Sequence, residues 1–148
     1  MVARINIQMK IKRTIFLALI TALVLVACKS GPAPGDTFKA YFEAQKKKDV
    51  AGMKQTLSKS SLAMMEASAK VQGVTVDKMI EGQLEHPSSK VDKLPEIRNE
   101  KIDGDKATIE LRNEEANRWD TMYFVKEDSK WKIALDRTVE EMLRKTGS

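Results

Sequence analysis

The sequence predicts an α+β fold: N-terminal helices packed on one face of a curved antiparallel sheet of about four strands, followed by a short C-terminal helix. Three observations carry this. Apolar residues recur at helical spacing from Phe38 to Leu84, the period changes to two from about Leu94, and helical spacing returns after Thr138. Helices gathered before strands, rather than alternating with them, indicate a helical layer on one sheet face.

The elements follow in order. Asp36 or Thr37 is placed to cap a first helix along which Phe38, Tyr41, Phe42 and Gln45 share a face. Lys46, Lys47 and Lys48 fill its last turn, where cations suit the helix dipole. Asp49 caps a second, short helix with Val50, Met53 and Leu57 inward. A third stripe, Leu62, Met65 and Ala69, is stopped by Gly73, and a fourth, Val76, Met79, Ile80 and Leu84, is broken by Pro87. Residues 96 to 102 then pair through the hairpin signal Asp103-Gly104 with a strand in which Ala107, Ile109 and Leu111 alternate with Thr108, Glu110 and Arg112. Residues 119 to 126 form a third strand, and residues 127 to 130 turn it into a fourth, where Trp131, Ile133 and Leu135 face inward. Thr138 and Glu141 stand at capping-box spacing, opening a final helix with Val139, Met142 and Leu143 as its stripe.

The chain has 148 residues, one domain's worth, with 26 Lys and Arg against 21 Asp and Glu. Four of the excess of five are Arg4, Lys10, Lys12 and Arg13, since the first 27 residues hold no acid. A body balanced from Cys28 onward lacks the field that holds a polyanion, so nucleic-acid binding loses its main argument. At 42% hydrophobic and 32% charged the composition is that of a globular domain.

The four basic residues precede an uncharged, mostly apolar run, residues 14 to 27. It is shorter than the roughly 20 residues a helix needs to cross a bilayer, and it fits the apolar core of an export signal. It closes with Leu25-Val26-Ala27-Cys28, which resembles the lipobox of bacterial lipoproteins. That resemblance implies cleavage before Cys28, with a diacylglycerol thioether on its sulfur and an acyl chain on its amine. Cys28 is the only cysteine, so no disulfide forms within the chain. Two or three acyl chains exceed what reversible membrane binding permits, so the mature protein is expected on the membrane. Lys29 stands where an aspartate would resemble an inner-membrane retention signal. The expectation is therefore the periplasmic face of an outer membrane, or the outer face of a plasma membrane where there is only one. The predicted organisation is a signal peptide, residues 1 to 27, an acylated cysteine with a flexible tether, residues 28 to 35, and one α+β domain, residues 36 to 146.

The body resembles the cone-shaped nuclear-transport-factor-like superfamily, also called SnoaL-like or cystatin-like, and within it small bacterial lipoprotein domains of undefined function. The resemblance lies in Gly-Asp-Thr-Phe-Lys-Ala-Tyr-Phe at residues 35 to 42 with Lys48-Asp49, in the run from Glu100 through Ile109, and in Phe-Val-Lys-Glu-Asp-Ser-Lys-Trp-Lys-Ile at residues 124 to 133. It implies a curved sheet and helices enclosing a tapering cavity, used by some members for catalysis and by others for ligand binding, and a sheet face through which a homodimer can form.

Enzymes of that superfamily resemble ketosteroid isomerases or SnoaL-like cyclases, which place an Asp or His of shifted pKa inside the apolar cone. Here the candidates are Asp120, Tyr41 and Tyr123. Asp120 becomes the best acid or base if it points inward among Met122 and Phe124, because burial would raise its pKa. Tyr41 lies on an apolar stripe, and Tyr123 is placed to pack with Val125. The single histidine, His86, sits at a helix end and reads as an exposed capping residue. No zinc ligand set, phosphate loop or calcium loop is present, and Met53, Met79, Met122 and Met142 fall on inward faces as core filling rather than as soft-metal ligands. Two functions stand. The first is a lipid-anchored, non-catalytic cone domain binding a small apolar ligand or an envelope protein; the second is a cone enzyme of the isomerase, cyclase or dehydratase type acting through Asp120 or a tyrosine. No cofactor beyond the covalent lipid is expected.

Overall fold

The structure, a computed structural model, describes residues 31–86 and 93–146, with side chains through Arg144. The lipobox residues Leu25, Val26, Ala27 and Cys28, and the predicted helix breaker Pro87, lie outside the described residues.

Helix α1 (Pro34–Lys46) starts two residues before the predicted cap. Pro34 sits in the first turn, where its missing N–H leaves nothing unpaired, and Asp36 reaches back to the Ala33 N–H at 3.4 Å. Pro34 and Gly35 are buried, so they belong to the fold and not to a tether. Lys47 caps the C-terminus and Lys48 turns the chain in the left-handed region at φ +54°, so Lys48 is outside the last turn. Asp49 caps α2 (Val50–Thr56) by accepting from the Gly52 N–H at 2.9 Å. Leu57 then bridges in parallel to Ile133, and Ser58 caps α3 (Lys59–Val71). Gly73, at φ +69°, ends that segment, and Thr75 caps α4 (Val76–Glu85).

The sheet is an antiparallel meander, β1 (Ile97–Asp103), β2 (Lys106–Asn113), β3 (Arg118–Glu127) and β4 (Lys130–Ile133), paired in that order. Gly104 turns β1 into β2 at φ +58°, while Asp128 and Ser129, both at positive φ, turn β3 into β4. The register sets Ala107 against Phe124 and Ile109 against Met122, which carries the apolar face of both strands toward the helices. Ile109, Phe124 and Ile133 are essentially inaccessible there, packed with Phe38, Met53, Leu57, Met65 and Ile80. A bulge interrupts β1 between Arg98 and Lys101, with Asn99 at φ +51°. It turns the Glu100 carboxylate to the helical layer, where it accepts from the Gly35 N–H at 2.8 Å.

The chain's end departs from expectation. Strand β4 stops at Ile133, and α5 (Leu135–Thr146) begins at Leu135, so Leu135 does not continue the strand. The cause is Ser61, whose hydroxyl accepts from the Leu135 N–H at 2.8 Å and donates to the Asp136 carboxylate at 2.8 Å. Thr138 is therefore inside the helix and is not its cap. Its hydroxyl donates to the Ala134 carbonyl at 3.0 Å and accepts from the Tyr123 N–H at 3.3 Å, tying α5 to the side of β3. That docking turns half-buried Leu135, Thr138 and Glu141 inward. Val139, Met142 and Leu143 are left 43%, 51% and 66% exposed, so Met142 fills no core and the predicted stripe faces outward.

Candidate functional site

The structure separates the three acid–base candidates. Tyr41 projects from α1 into a groove of about 650 Å³ bounded by α1, α2, α4 and the turn after α3. Tyr41, Met53, Val74, Met79 and Leu84 give it apolar walls; Gln45, Gln72, Gln83, Lys78 and His86 supply the polar groups. Gly82 of α4 lies on its wall, where a Cβ would meet nothing within 4 Å. Lys78 is paired with Glu81 at 2.7 Å, and the Gln72 carboxamide donates weakly to the Met79 sulfur at 3.8 Å. Burial pushes the Tyr41 phenol above its ordinary value. Its hydroxyl makes no hydrogen bond among the described residues, yet it is not sealed from the groove, since among those residues no fully buried side-chain polar atom lacks a partner. A phenol so placed is a neutral donor at physiological pH, open to a partner that enters.

Asp120 and Tyr123 line a different hollow, of about 250 Å³, between β3 and α5. Asp120 shares the strand face of Met122 and Phe124, as its parity requires, but it stands at the far end. There Arg118 Nε donates to its carboxylate at 2.7 Å and Asn113 Nδ2 donates at 2.8 Å. The side chain is 38% exposed, so the apolar enclosure that would have made it an acid or base is not present. Tyr123 lies on the opposite face with Val125, and it also borders a depression of about 320 Å³ beside Lys101, Lys106, Thr108 and Arg137. Next to it Trp119 packs under the Arg98 guanidinium, 3.7 Å from the ring centroid, with Arg112 at 5.6 Å.

His86 is the exposed C-cap of α4, as its sequence setting suggested, and it stands on the rim of the Tyr41 groove. Sequence reasoning missed the carboxamides. Gln45 carried a legible signal, a polar group on an otherwise apolar stripe. Gln72 and Gln83 carried none, because only the packing of α3 and α4 brings them to one opening. Among the described residues no group of three or more His, Cys, Asp or Glu could hold a metal ion, and no helix is long and apolar enough to cross a membrane.

Helices laid on the apolar face of a meander, with a groove open on the helical side, define a cone-type domain shaped to admit a small molecule. Residues 34–136 match the family described as Putative lumazine-binding, one of the SnoaL-like and nuclear-transport-factor-like cone families, and the chain belongs to it. Neither the curated proteins nor the solved structures yielded a match.

Proposed function

We propose that the domain binds a small, flat heteroaromatic molecule of the lumazine type in the Tyr41 groove without transforming it, and that acylated Cys28 holds it on the outer side of a cell membrane. The groove carries the proposal. Its volume, about 650 Å³, falls within the several hundred cubic ångströms usual for small-molecule sites, and its mixture of apolar walls with few polar groups is theirs too. A fused-ring dione presents apolar faces and an edge of alternating N–H donors and carbonyl acceptors. The Met53 and Met79 thioethers and the Tyr41 ring suit the faces. A carboxamide offers both donor and acceptor, so Gln45, Gln72 and Gln83 suit such an edge. The family's description supports the same class of ligand. Separation of Asp120 from the groove and the raised phenol of Tyr41 favour binding over proton transfer.

Titrating the purified domain with lumazine, and following the ligand's fluorescence, tests this. Saturable binding is expected, weakened at least about tenfold by Tyr41→Ala, corresponding to about 1.4 kcal/mol, and by Gly82→Leu, which fills the groove. Asp120→Asn should bind as the parent does. Binding indifferent to both groove substitutions, or no binding at all, would refute the proposal.

A further inference from the structure

Gly31, three residues after Cys28, is exposed but lies against the β3–β4 turn. A Cβ built on it would stand 3.2 Å from the Ser129 carbonyl oxygen. Pro32 lines a groove with Lys130, Trp131 and Lys132, and Pro34 is fully buried. Of the expected tether, residues 28 to 35, only Lys29 and Ser30 stand between Cys28 and Gly31. A fully extended chain spans at most about 3.6 Å per residue, so Gly31 lies within about 11 Å of the Cys28 Cα.

Building on the acylation of Cys28 proposed above, we infer that the β3–β4 turn, residues 127 to 130, is the membrane-facing end of the domain and rests against the phospholipid headgroups, with the β2–β3 turn directed away. The reach of two intervening residues is comparable to the headgroup layer itself, roughly 5–7 Å on each side of a bilayer. Whatever surrounds Gly31 is therefore held at the lipid surface, and Gly31 touches this turn. At the near end Lys59, Lys126 and Lys130 are exposed. Four acids stand at the same end: Glu127 accepts from the Lys59 N–H at 3.0 Å, Asp128 pairs with the Lys59 ammonium at 3.3 Å, and Asp103 and Asp105 of the β1–β2 turn are exposed beside Lys106, which the register sets against Val125. Lys126 and Lys130 form no ion pair among the described residues. At the far end the β2–β3 turn presents exposed Glu114 and Glu115 beside Arg112 and Arg118, so the length of the tether, not charge, sets the orientation. The ten residues of β3 separate the two ends by about 30 Å.

The test uses the full chain, processed in cells, extracted and reconstituted into phosphatidylethanolamine–phosphatidylglycerol vesicles. With the Cys28 sulfur acylated, a cysteine introduced by Asp128→Cys or Lys130→Cys, and separately by Ala116→Cys, is the sole site for a fluorophore. Lipids carrying a headgroup quencher should quench the labels at positions 128 and 130 several-fold more than the label at 116. A long flexible insert between Ser30 and Gly31 should shrink that difference. Equal quenching at both ends, with mass spectrometry showing acylated Cys28 in the same preparation, would overturn the orientation and leave the anchor standing. A bare thiol at Cys28 would overturn both.

Discussion

Ser61 decides how the end of the chain is built. Fully buried, it takes the Ser58 hydroxyl at 2.7 Å, the Leu135 N–H and the Asp136 carboxylate onto one oxygen, joining the start of α3 to the start of α5. Ser61→Ala would strand buried polar groups at both helix ends, and a loss of about 1–3 kcal/mol is expected in denaturant unfolding. Asp136 adds a pH dependence. Burial alone would raise its pKa, but the hydroxyls of Ser60 and Ser61 and the N–H groups at the start of α5 outweigh that and hold it below the usual carboxylate value. A folded-state pKa below the unfolded one means the contribution is complete above the unfolded value, near about 4, and is lost as pH falls through the folded value. Asp136→Asn should therefore flatten the decline of stability in acid, as measured by unfolding at successive pH values. None of this was legible in the sequence, where Thr138 and Glu141 offered the better-looking cap, because only the tertiary fold brings Ser61 to Leu135.

The helical elements were legible wherever one local rule governed them. Asp49 as a cap, Gly73 as a stop and the stripe of Val76, Met79, Ile80 and Leu84 each follow from residues within one or two turns of one another. The two glycines of the α3–α4 region make this testable, since neither is crowded. Gly73 sits at φ +69°, so Gly73→Ala should cost about 1–2 kcal/mol through backbone strain alone. Gly82 lies within α4 at an ordinary φ, so Gly82→Ala should stabilise by about 0.5–1 kcal/mol. Thermal unfolding of the pair would show opposite shifts; shifts of the same sign would contradict the backbone account. The strand pattern of Ala107, Ile109 and Leu111 was equally plain, while the bulge at Asn99 and Glu100 was not. Its purpose is to aim one carboxylate at the N-terminus of α1, 65 residues away in the chain.

For the whole molecule the question is how a cone domain meets its surroundings. If Cys28 carries the lipid, Cys28→Ser should move the protein from the membrane to the soluble fraction of fractionated cells while its circular dichroism and its affinity for lumazine stay unchanged, because the groove is lined by residues 41 to 86. Membrane recovery undiminished by the substitution would remove acylation as the anchor. Anchor and groove are thus separable, and a failure of one leaves the other to be judged by itself.

Composition and periodicity were enough, from the sequence by itself, to determine an α+β chain of helices followed by a meander. Local rules suffice for that, since caps, stops and alternation depend on neighbours a few residues apart. The tertiary structure alone decided which polar groups share a space. It drew Tyr41 and Gln45 together with Gln72 and Gln83, and turned Val139 and Met142 outward. Those outcomes depend on how helices stack against a sheet, and the side chains that meet there are separated by tens of residues, so no stretch of sequence contains them.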